Sequence, residues 1–380
     1  MELDEIDQSL LGGAMGPAAA TAMHLLLRYG QALGAKRFTS ITRAHIDGCM
    51  YHGQASLDFA RRFRDLGGQV RVPTTLNATA VDVVHPGLHC GEPALLEQQS
   101  ELTGLYTELG CQPTLTCAPY HRDSRPAKGE QIAWAESNAI VFANSVLGAR
   151  TDRYGDFTDL CAALTGRVPL TGLYVERNRL ATVAVSAPDI QATALSRDLY
   201  FGGLGYLLGK HCDAAVPVII GLPDATGEDD LKALGAAAAS SGALAMFHAV
   251  GLTPEAASLE EASGGAAPLP SLALTTSDLA GALRELCPLQ AGEPLAAVCL
   301  GSPHFSLAEF EQLAGAVRGR RRSPGTGFFV STSRETAAVV GQDLRFDPLE
   351  DFGVTLVVDT CTYLAPVVRE PGGAILTNSA

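Results

Sequence analysis

The sequence lacks the features that mark membrane-spanning, nucleic-acid-binding and secreted proteins. Its 380 residues contain no apolar run close to the ~20 residues that a membrane helix needs, so we expect no membrane partner. Lys and Arg number 27 against 41 Asp and Glu, and the net charge of −14 argues against nucleic acid as a partner. The acidic start MELDEIDQSLLGG has no basic n-region, which indicates no signal peptide and a cytoplasmic location.

Cysteines are present, but not in the pattern of a disulfide framework or a zinc site. There are nine, an odd number, and a cytoplasmic chain keeps its thiols reduced. No CxxC pair occurs, which argues against a structural zinc. A metal or cluster site would therefore have to be assembled from distant segments. The nine are Cys49, Cys90, Cys111, Cys117, Cys161, Cys212, Cys287, Cys299 and Cys361.

The composition is that of a large, loop-rich globular enzyme. It is 47% hydrophobic and 18% charged, with 40 Gly and 21 Pro, and the chain is long enough for two or more lobes. Strand and helix patterns alternate over 180–255 and return after a Pro- and Gly-rich stretch, which predicts α/β lobes with right-handed crossovers. We divide the chain into an N-terminal α/β region at 1–180 and lobes at 181–260 and 261–380. The YFGGLGYLLG run falls inside a predicted helix, so it is not a dinucleotide-binding turn.

A first polar segment, AHIDGCMYHGQ at 44–54, follows a strand predicted at 37–41. It places His45, Asp47 and Cys49 in one glycine-bearing loop. An isolated histidine is usually a core residue, but one directly after a strand suits a pocket equally well. Both interpretations of His45 remain open at this point.

A second polar segment, QVRVPTTLNATAVD at 69–82, is predicted as a strand that breaks at Pro73. Small hydroxyl and amide side chains just past a strand end are well placed to bind a ligand in an α/β fold. They also cap turns, which is the alternative. The side chains concerned are Thr74, Thr75 and Asn77.

The densest polar stretch in an apolar frame runs from 111 to 178. Cys117 begins a Cys-Ala-Pro-Tyr turn, and AWAESNAIVFANSVLGAR is predicted as a helix that ends near Arg150 and Arg153. The arginines would suit a carboxylate substrate, although one of them could instead neutralise a buried Glu136. The helix also carries Ser137, Asn144 and Ser145.

Three cysteines each stand at the start of a turn, in three separate segments. They are Cys117, Cys299 and Cys361, and the last two follow apolar strands directly. Three thiols with no fourth protein ligand suit an iron–sulfur cluster that leaves one iron open. An open iron is a Lewis acid that can help a substrate hydroxyl to leave as water, which predicts a dehydratase.

Two hypotheses of other classes compete. A cysteine hydrolase would use Cys117 with His45 or His304, and it needs the thiolate within hydrogen-bond reach of a histidine. That hypothesis leaves Cys299 and Cys361 without a role. A metabolite-binding cluster protein without turnover is the other alternative.

The chain resembles the aconitase X family over nearly its whole length. The motifs that carry the resemblance are AHIDGCMYHG, VPTTLN, TCAPY, AWAESNAIVFANSVLGARTDR, GLGYLLGK, AMFHAVGLTPEA, GSPHFSLAEF and VVDTC. The resemblance implies an aconitase-like α/β fold, in which several α/β lobes with three-layer sandwich character surround a central cluster site. It also implies an iron–sulfur-dependent hydro-lyase.

The resemblance assigns roles to the three cysteines, to Gly48, Cys49, Met50, Asn77, Ala78, Glu136 and Ser137, and the polar segments described above add the other residues. The cluster ligands fall on Cys117, Cys299 and Cys361, and the cluster is 4Fe–4S or a smaller type such as 2Fe–2S. Glu136, Ser137 and His45 are predicted to be catalytic. The predicted substrate-binding residues are Gly48, Cys49, Met50, Thr74, Thr75, Asn77, Ala78, Asn144, Ser145 and Arg150.

Two branches of the family differ in substrate. The archaeal branch dehydrates mevalonate 5-phosphate, and its first loop typically reads HxSGVSY, with a serine to serve the phosphate. This chain has Met50 at that place and CAPY where the archaeal branch usually has CTPY. It is therefore more similar to the bacterial branch, which dehydrates cis-3-hydroxy-L-proline to Δ1-pyrroline-2-carboxylate.

Family members also need a small swivelling domain, which brings a serine over the cluster as the expected base. No such segment is found in residues 1–380, which end at REPGGAILTNSA. We therefore expect a small swivelling subunit of the same enzyme as a partner, beside the small hydroxy-acid substrate.

Overall fold

The computed structural model describes residues 1–122, 125–266, 268–290, 292–369 and 372–379. Within these ranges the strands form one antiparallel pair and three parallel sheets. Helices cover the sheets, so the predicted α/β class is confirmed. No helix of the described ranges has both the length and the apolar character to span a bilayer.

The helices have the following bounds. They are α1 Glu5–Leu11, α2 Pro17–Ala32, α3 Gln54–Asp65, α4 Pro93–Glu108, α5 Ser137–Phe142, α6 Thr158–Thr165, α7 Arg197–Cys212, α8 Glu228–Ser241, α9 Leu259–Ser263, α10 Thr276–Leu286, α11 Leu307–Val317, α12 Arg334–Val340 and α13 Asp347–Phe352.

The strands are short. They are β1 Phe38–Ser40, β2 Ala44–Ile46, β3 Thr74–Leu76, β4 Ala133–Trp134, β5 Arg167–Pro169, β6 Val183–Ser186, β7 Pro217–Ile220, β8 His248–Ala249, β9 Ser271–Ala273, β10 Leu295–Leu300, β11 Gly327–Thr332, β12 Thr355–Val358 and β13 Ala374–Leu376.

The N-terminal region is built on the parallel sheet β3-β2-β4, beside the β1–β5 pair. Its apolar core is formed by α1 to α4 and α6 with the central strand, including Met23, Phe63 and Tyr106. The glycine-rich break between α1 and α2 falls where the sequence predicts it, and Pro17 begins α2, where a missing N–H costs nothing.

Three local predictions in this region are wrong. His45 lies on the buried central strand β2 and not in a loop, because flanking strands pair with Ala44 on both sides. Thr74 and Thr75 belong to β3, since the strand starts after Pro73. The helix predicted over AWAESNAIVFANSVLGAR is instead the short strand β4, then α5, then a wide π-type turn.

The second lobe holds the sheet β8-β7-β6-β9, and the third holds β12-β11-β10-β13. The second sheet continues to Ala273, and α10 packs on α7, so the lobe extends beyond the boundary predicted at residue 260. The glycines of the YFGGLGYLLG run let α7 and α8 approach closely. A Cβ on Gly205 would lie 2.1 Å from the Leu234 carbonyl oxygen, which explains this motif as helix packing.

Candidate active site

The three predicted cluster cysteines come together from two parts of the molecule. Cys117 precedes a short 3-10 turn in the N-terminal region, Cys299 lies near the end of β10, and Cys361 follows β12. All three thiols are buried, and burial is the main cause that raises the pKa of each. Negative charge on Cys361 also raises the pKa of Cys117 and of Cys299, so Cys361 lies within electrostatic range of both.

The donor set fits an iron–sulfur cluster better than a single ion. Among the described residues, no three His, Cys, Asp or Glu side chains are grouped closely enough to hold one metal ion. A cluster separates its protein ligands by its own iron and sulfide atoms, so its cysteines need not converge as tightly. The three thiols are buried and neutral, and none of them is hydrogen-bonded to a base among the described residues. Binding of such a cluster would convert them to thiolates.

His304 joins these cysteine segments. Its backbone N–H donates to the Cys117 sulfur at 3.2 Å, and its ring lies between the Thr116 hydroxyl, 2.9 Å from Nδ1, and the Thr360 carbonyl oxygen, 2.9 Å from Nε2. A carbonyl only accepts, so Nε2 carries the proton and Nδ1 accepts from Thr116. Burial lowers the pKa of His304 to about 4, which keeps the ring neutral.

This geometry disfavours the cysteine-hydrolase hypothesis. The His304 ring is occupied by Thr116 and Thr360 and reaches Cys117 only through its backbone. The His45 ring bonds the Thr75 hydroxyl at 2.8 Å from Nδ1. A nucleophilic cysteine needs a lowered pKa, whereas burial raises the pKa of Cys117.

Glu136 faces this cluster of cysteines from the start of α5. Its Oε1 atom accepts from the Asn138 side-chain nitrogen at 2.7 Å, from the Asn138 backbone at 3.2 Å and from the Ser137 hydroxyl at 3.2 Å. Asn138 also donates to the Cys117 carbonyl at 3.1 Å and accepts from Tyr120 at 2.6 Å. Amide groups and the Ser137 hydroxyl therefore hold Glu136 in place, and no arginine among the described residues bonds it.

A second carboxylate, Asp47, shares an amide with Glu136. The Asn77 side-chain nitrogen donates to Glu136 Oε2 at 2.7 Å and also to Asp47 Oδ1. Burial and the charge of Glu136 raise the pKa of Asp47 to about 8. Sequence reasoning noted Asp47 in its loop but gave it no role, because nothing in the sequence shows that it meets Glu136.

Buried side chains brace the loop that follows Asp47. The Asp159 carboxylate accepts from the backbone N–H groups of Asp47 at 2.8 Å and Gly48 at 3.1 Å. Tyr106 donates to the Gly48 carbonyl at 3.0 Å, and Gln99 donates to the Cys49 carbonyl at 2.9 Å. These contacts fix the path of the predicted substrate loop through Met50.

Within that loop and after β3, the predicted residues have different environments. Cys49 is fully buried and donates to the Ile46 carbonyl at 3.4 Å, so its thiol faces the core. Met50 is partly exposed, whereas Ala78 is buried and its N–H donates to the side-chain oxygen Oδ1 of Asn77 at 2.7 Å. This last bond fixes which end of the Asn77 amide faces the two carboxylates.

Other residues predicted to touch the substrate lie elsewhere. Thr74 is buried and donates to the Val72 carbonyl at 2.8 Å. The Arg150 guanidinium pairs with Glu176, away from the three cysteines. Asn144 and Ser145 are buried and connect the N-terminal region to the second lobe. Asn144 donates to the Ala245 carbonyl at 3.1 Å, and Ser145 accepts from the Phe247 N–H at 2.9 Å.

His45 lies on β2, next to Asn77. Its ring is fully buried on β2, and burial lowers its pKa to about 3. A neutral, enclosed imidazole that bonds Thr75 is suited to positioning the sheet. The catalytic role predicted for it is therefore not supported by this geometry.

Family models match the chain in three consecutive parts. Residues 1–177 match the aconitase X first domain, residues 181–284 the second domain and residues 295–380 the third domain. A solved structure, "Crystal structure of Thermococcus kodakaraensis aconitase X (holo-form)", superposes with a TM-score of 0.88 at 32% identity. The match covers 100% of this chain and 93% of that one, which confirms the aconitase-like fold.

Curated relatives fall into two named groups. The cis-3-hydroxy-L-proline dehydratases of Pseudomonas aeruginosa and Hypocrea jecorina are 46% and 42% identical over 100% of the chain. The chain spans 65% and 64% of their lengths, a little under two thirds. The phosphomevalonate dehydratase large subunit of Methanothermobacter thermautotrophicus is 34% identical over 96% of the chain and 88% of the relative. Because the matches in sequence and fold extend over the whole of this chain, the chain belongs to the aconitase X family.

Proposed function

We propose that this chain is the cluster-bearing part of a hydro-lyase that dehydrates cis-3-hydroxy-L-proline to Δ1-pyrroline-2-carboxylate. Relatives that carry this name are 46% and 42% identical over the whole chain. The structural observation that supports it best is the pair of partly exposed carboxylates, Asp47 and Glu136, beside three buried thiols. In the described ranges no lysine or arginine bonds either carboxylate, and such a site does not suit a phosphate.

Cys117, Cys299 and Cys361 would hold the cluster, either 4Fe–4S or a smaller type such as 2Fe–2S. Bound there, it supplies a Lewis acid for the departing hydroxyl group. Glu136 and Ser137 would contact the substrate, with Asn77 and Asn138 holding Glu136 in place. The free state of all nine cysteines suits a reducing compartment, so we also propose the cytoplasm.

We propose that a small swivelling unit closes the site and brings the serine base. The archaeal relatives are named large subunits, and about a third of each hydroxyproline dehydratase has no counterpart in this chain. The names of the archaeal relatives support a small subunit as this unit. The isolated chain should show little turnover; activity equal to that of a two-part preparation would contradict this.

A second candidate is the dehydration of mevalonate 5-phosphate. It is favoured by length, because the chain spans 88% to 93% of the phosphomevalonate dehydratase large subunits but 65% of the Pseudomonas enzyme. The Asp47–Glu136 pair argues against it, since the negative charge of this pair repels a phosphate.

The experiment is an anaerobic assay of the iron-loaded enzyme with each substrate in turn. We expect cis-3-hydroxy-L-proline to be converted to the cyclic imine and mevalonate 5-phosphate to remain unchanged. Turnover of the phosphate alone would replace the proposal by the second candidate. Iron binding without turnover of either would favour a metabolite-binding protein.

A further inference from the structure

Asn77 holds two carboxylates at the rim of the site in a fixed arrangement. Its side chain is buried, and its oxygen is taken by the Ala78 N–H, so both hydrogens of its NH2 group point at acids. One goes to Asp47 Oδ1 and the other to Glu136 Oε2, at 2.7 Å. Asp47 and Glu136 are both partly exposed, whereas Asn77 and Asn138 behind them are buried. The partial exposure of the pair means that a ligand can reach it.

Lone pairs of the two carboxylates remain without partners among the described residues. Asp47 Oδ2 accepts no hydrogen bond, and Glu136 Oε2 accepts only the one from Asn77. A carboxylate oxygen can accept two hydrogen bonds, so at least two acceptor positions are open, one on each acid. A secondary ammonium group has two N–H donors and one positive charge, which matches this vacancy in number and in sign.

The electrostatic surroundings also favour a cation. Asp47 faces Glu136 at the start of α5, Asp159 on α6, Asp156 just before α6 and the neutral Asn77. His45 lies beside Asn77, but burial and, to a smaller extent, the charge of Arg122 lower its pKa to about 3, so it supplies no positive charge. Without a cation, like-charge repulsion and burial keep a proton on Asp47, whose pKa is raised to about 8.

A divalent metal ion fits this place less well. Hard cations take six or more oxygen ligands, and Asn77 turns its NH2 group, not its oxygen, toward the gap. The described residues also contain no third acid close enough to complete a metal site.

Building on the function proposed above, we propose that Asp47 and Glu136 bind the ring ammonium of the amino-acid substrate and so select it over hydroxy acids that lack nitrogen. Asp47 is then a specificity-determining residue of the site. The bound ammonium takes the place of the proton on Asp47, and that proton is released to solvent.

The test measures ligand binding by calorimetry on the iron-loaded protein, which separates it from turnover. The probes are L-proline, which has the ring ammonium but no hydroxyl to lose, and tetrahydrofuran-2-carboxylate, which has a ring oxygen instead. Asp47→Asn should weaken the binding of L-proline by roughly 10- to 100-fold, which corresponds to the loss of a hydrogen bond to a charged group. The affinity for the oxygen analogue should stay unchanged. Asp156→Asn removes the same charge nearby without touching Asn77 and should change either affinity by less than about twofold.

A second readout guards against a merely structural loss. Titrations at pH 7 in buffers of different ionisation enthalpy should show about one proton released as L-proline binds to the wild-type protein, and none for Asp47→Asn. Equal weakening of both probes, or no weakening, would overturn the subsite even if hydroxyproline is dehydrated. Failure to dehydrate hydroxyproline, with Asp47-dependent binding of L-proline retained, would reject the proposed reaction and keep the subsite. Loss of both would reject both.

Discussion

The sheets of the second and third lobes have the same strand order, β8-β7-β6-β9 and β12-β11-β10-β13, and every pair in them is parallel. Their strand ends differ. In the second lobe β6 leads into Ala187-Pro188 and β8 leads into Val250-Gly251. In the third lobe the equivalent strands are β10, which leads into Gly301-Ser302, and β12, which leads into Asp359-Thr360-Cys361. The same sheet topology thus carries two of the candidate cluster cysteines at its strand ends in the third lobe, whereas the corresponding strand ends in the second lobe carry none.

Unusual backbone marks the strand ends of the third lobe. Gly301 has φ 93°, and a Cβ there would lie 2.1 Å from the Ser331 carbonyl oxygen, so only glycine fits. Asp359 has φ 65° although it is not glycine, and Arg334 holds its carboxylate at 2.5 and 2.6 Å. A left-handed residue turns the chain sharply, which brings Cys361 back over the strand ends.

The largest contrast between the lobes should come from one cysteine in each. Cys361→Ser should remove most of the iron and lower turnover on the order of 10³-fold, because a Lewis acid contributes several kcal/mol to the transition state. Cys212→Ser, at the end of α7 in the second lobe, should keep iron and turnover. Iron content and steady-state rates measure both. Equal loss in the two variants would remove the functional distinction between the lobes.

The next effect concerns the contact that joins the two lobes. Lys232 on α8 is buried and pairs with Asp229 at 3.0 Å and with Glu309 on α11. Lys232→Met leaves two acids without their cation, so we expect a loss of about 3–5 kcal/mol in the free energy of unfolding. Lys210→Met, which breaks an exposed pair with Glu285, should have little effect. Urea unfolding at neutral pH measures the free energy of unfolding of both variants. Similar unfolding midpoints for the two variants would contradict the account.

A smaller effect should appear in acid. The pKa of His45 is lowered from 6.5 to about 3, so the unfolded chain binds the proton first as pH falls below 6.5. Stability from this group is complete above pH 6.5 and is lost progressively toward pH 3. Between pH 7.5 and 5 the advantage of wild type over His45→Gln should shrink by about 2 kcal/mol. Asp47 titrates in both proteins, so its contribution cancels in the stability difference between wild type and His45→Gln. A constant difference between them would show that His45 is not held neutral by the fold.

The smallest effect is expected for a residue that the sequence placed in the site and the structure does not. Arg150→Ala breaks the pair with Glu176 and a long hydrogen bond to the Tyr174 carbonyl at 3.5 Å, and should change kcat/KM by less than about twofold. Glu136→Gln should lower kcat/KM by on the order of 10²-fold or more. A large loss in Arg150→Ala would mean that Arg150 contacts the substrate after all.

Sequence reasoning could identify the family and the α/β class, because the alternation of strands and helices and the quoted motifs are local properties. It could also single out Cys117, Cys299 and Cys361, since each stands where a turn begins. It could not find the partnership of Asp47 with Glu136, because these residues meet only through Asn77 after the sheet has formed. For the same reason Asn144 and Ser145 were predicted to touch the substrate, although their polar groups join two lobes.

The most direct test of the central claim is an anaerobic count of iron and acid-labile sulfide per chain, together with a visible spectrum. If three thiols from distant segments hold one cluster, the wild-type protein is brown and contains about two to four irons with matching sulfide. Replacing Cys117, Cys299 or Cys361 by Ser should then remove most of both. A colourless, iron-free wild-type protein that still dehydrates cis-3-hydroxy-L-proline at full rate would contradict the account.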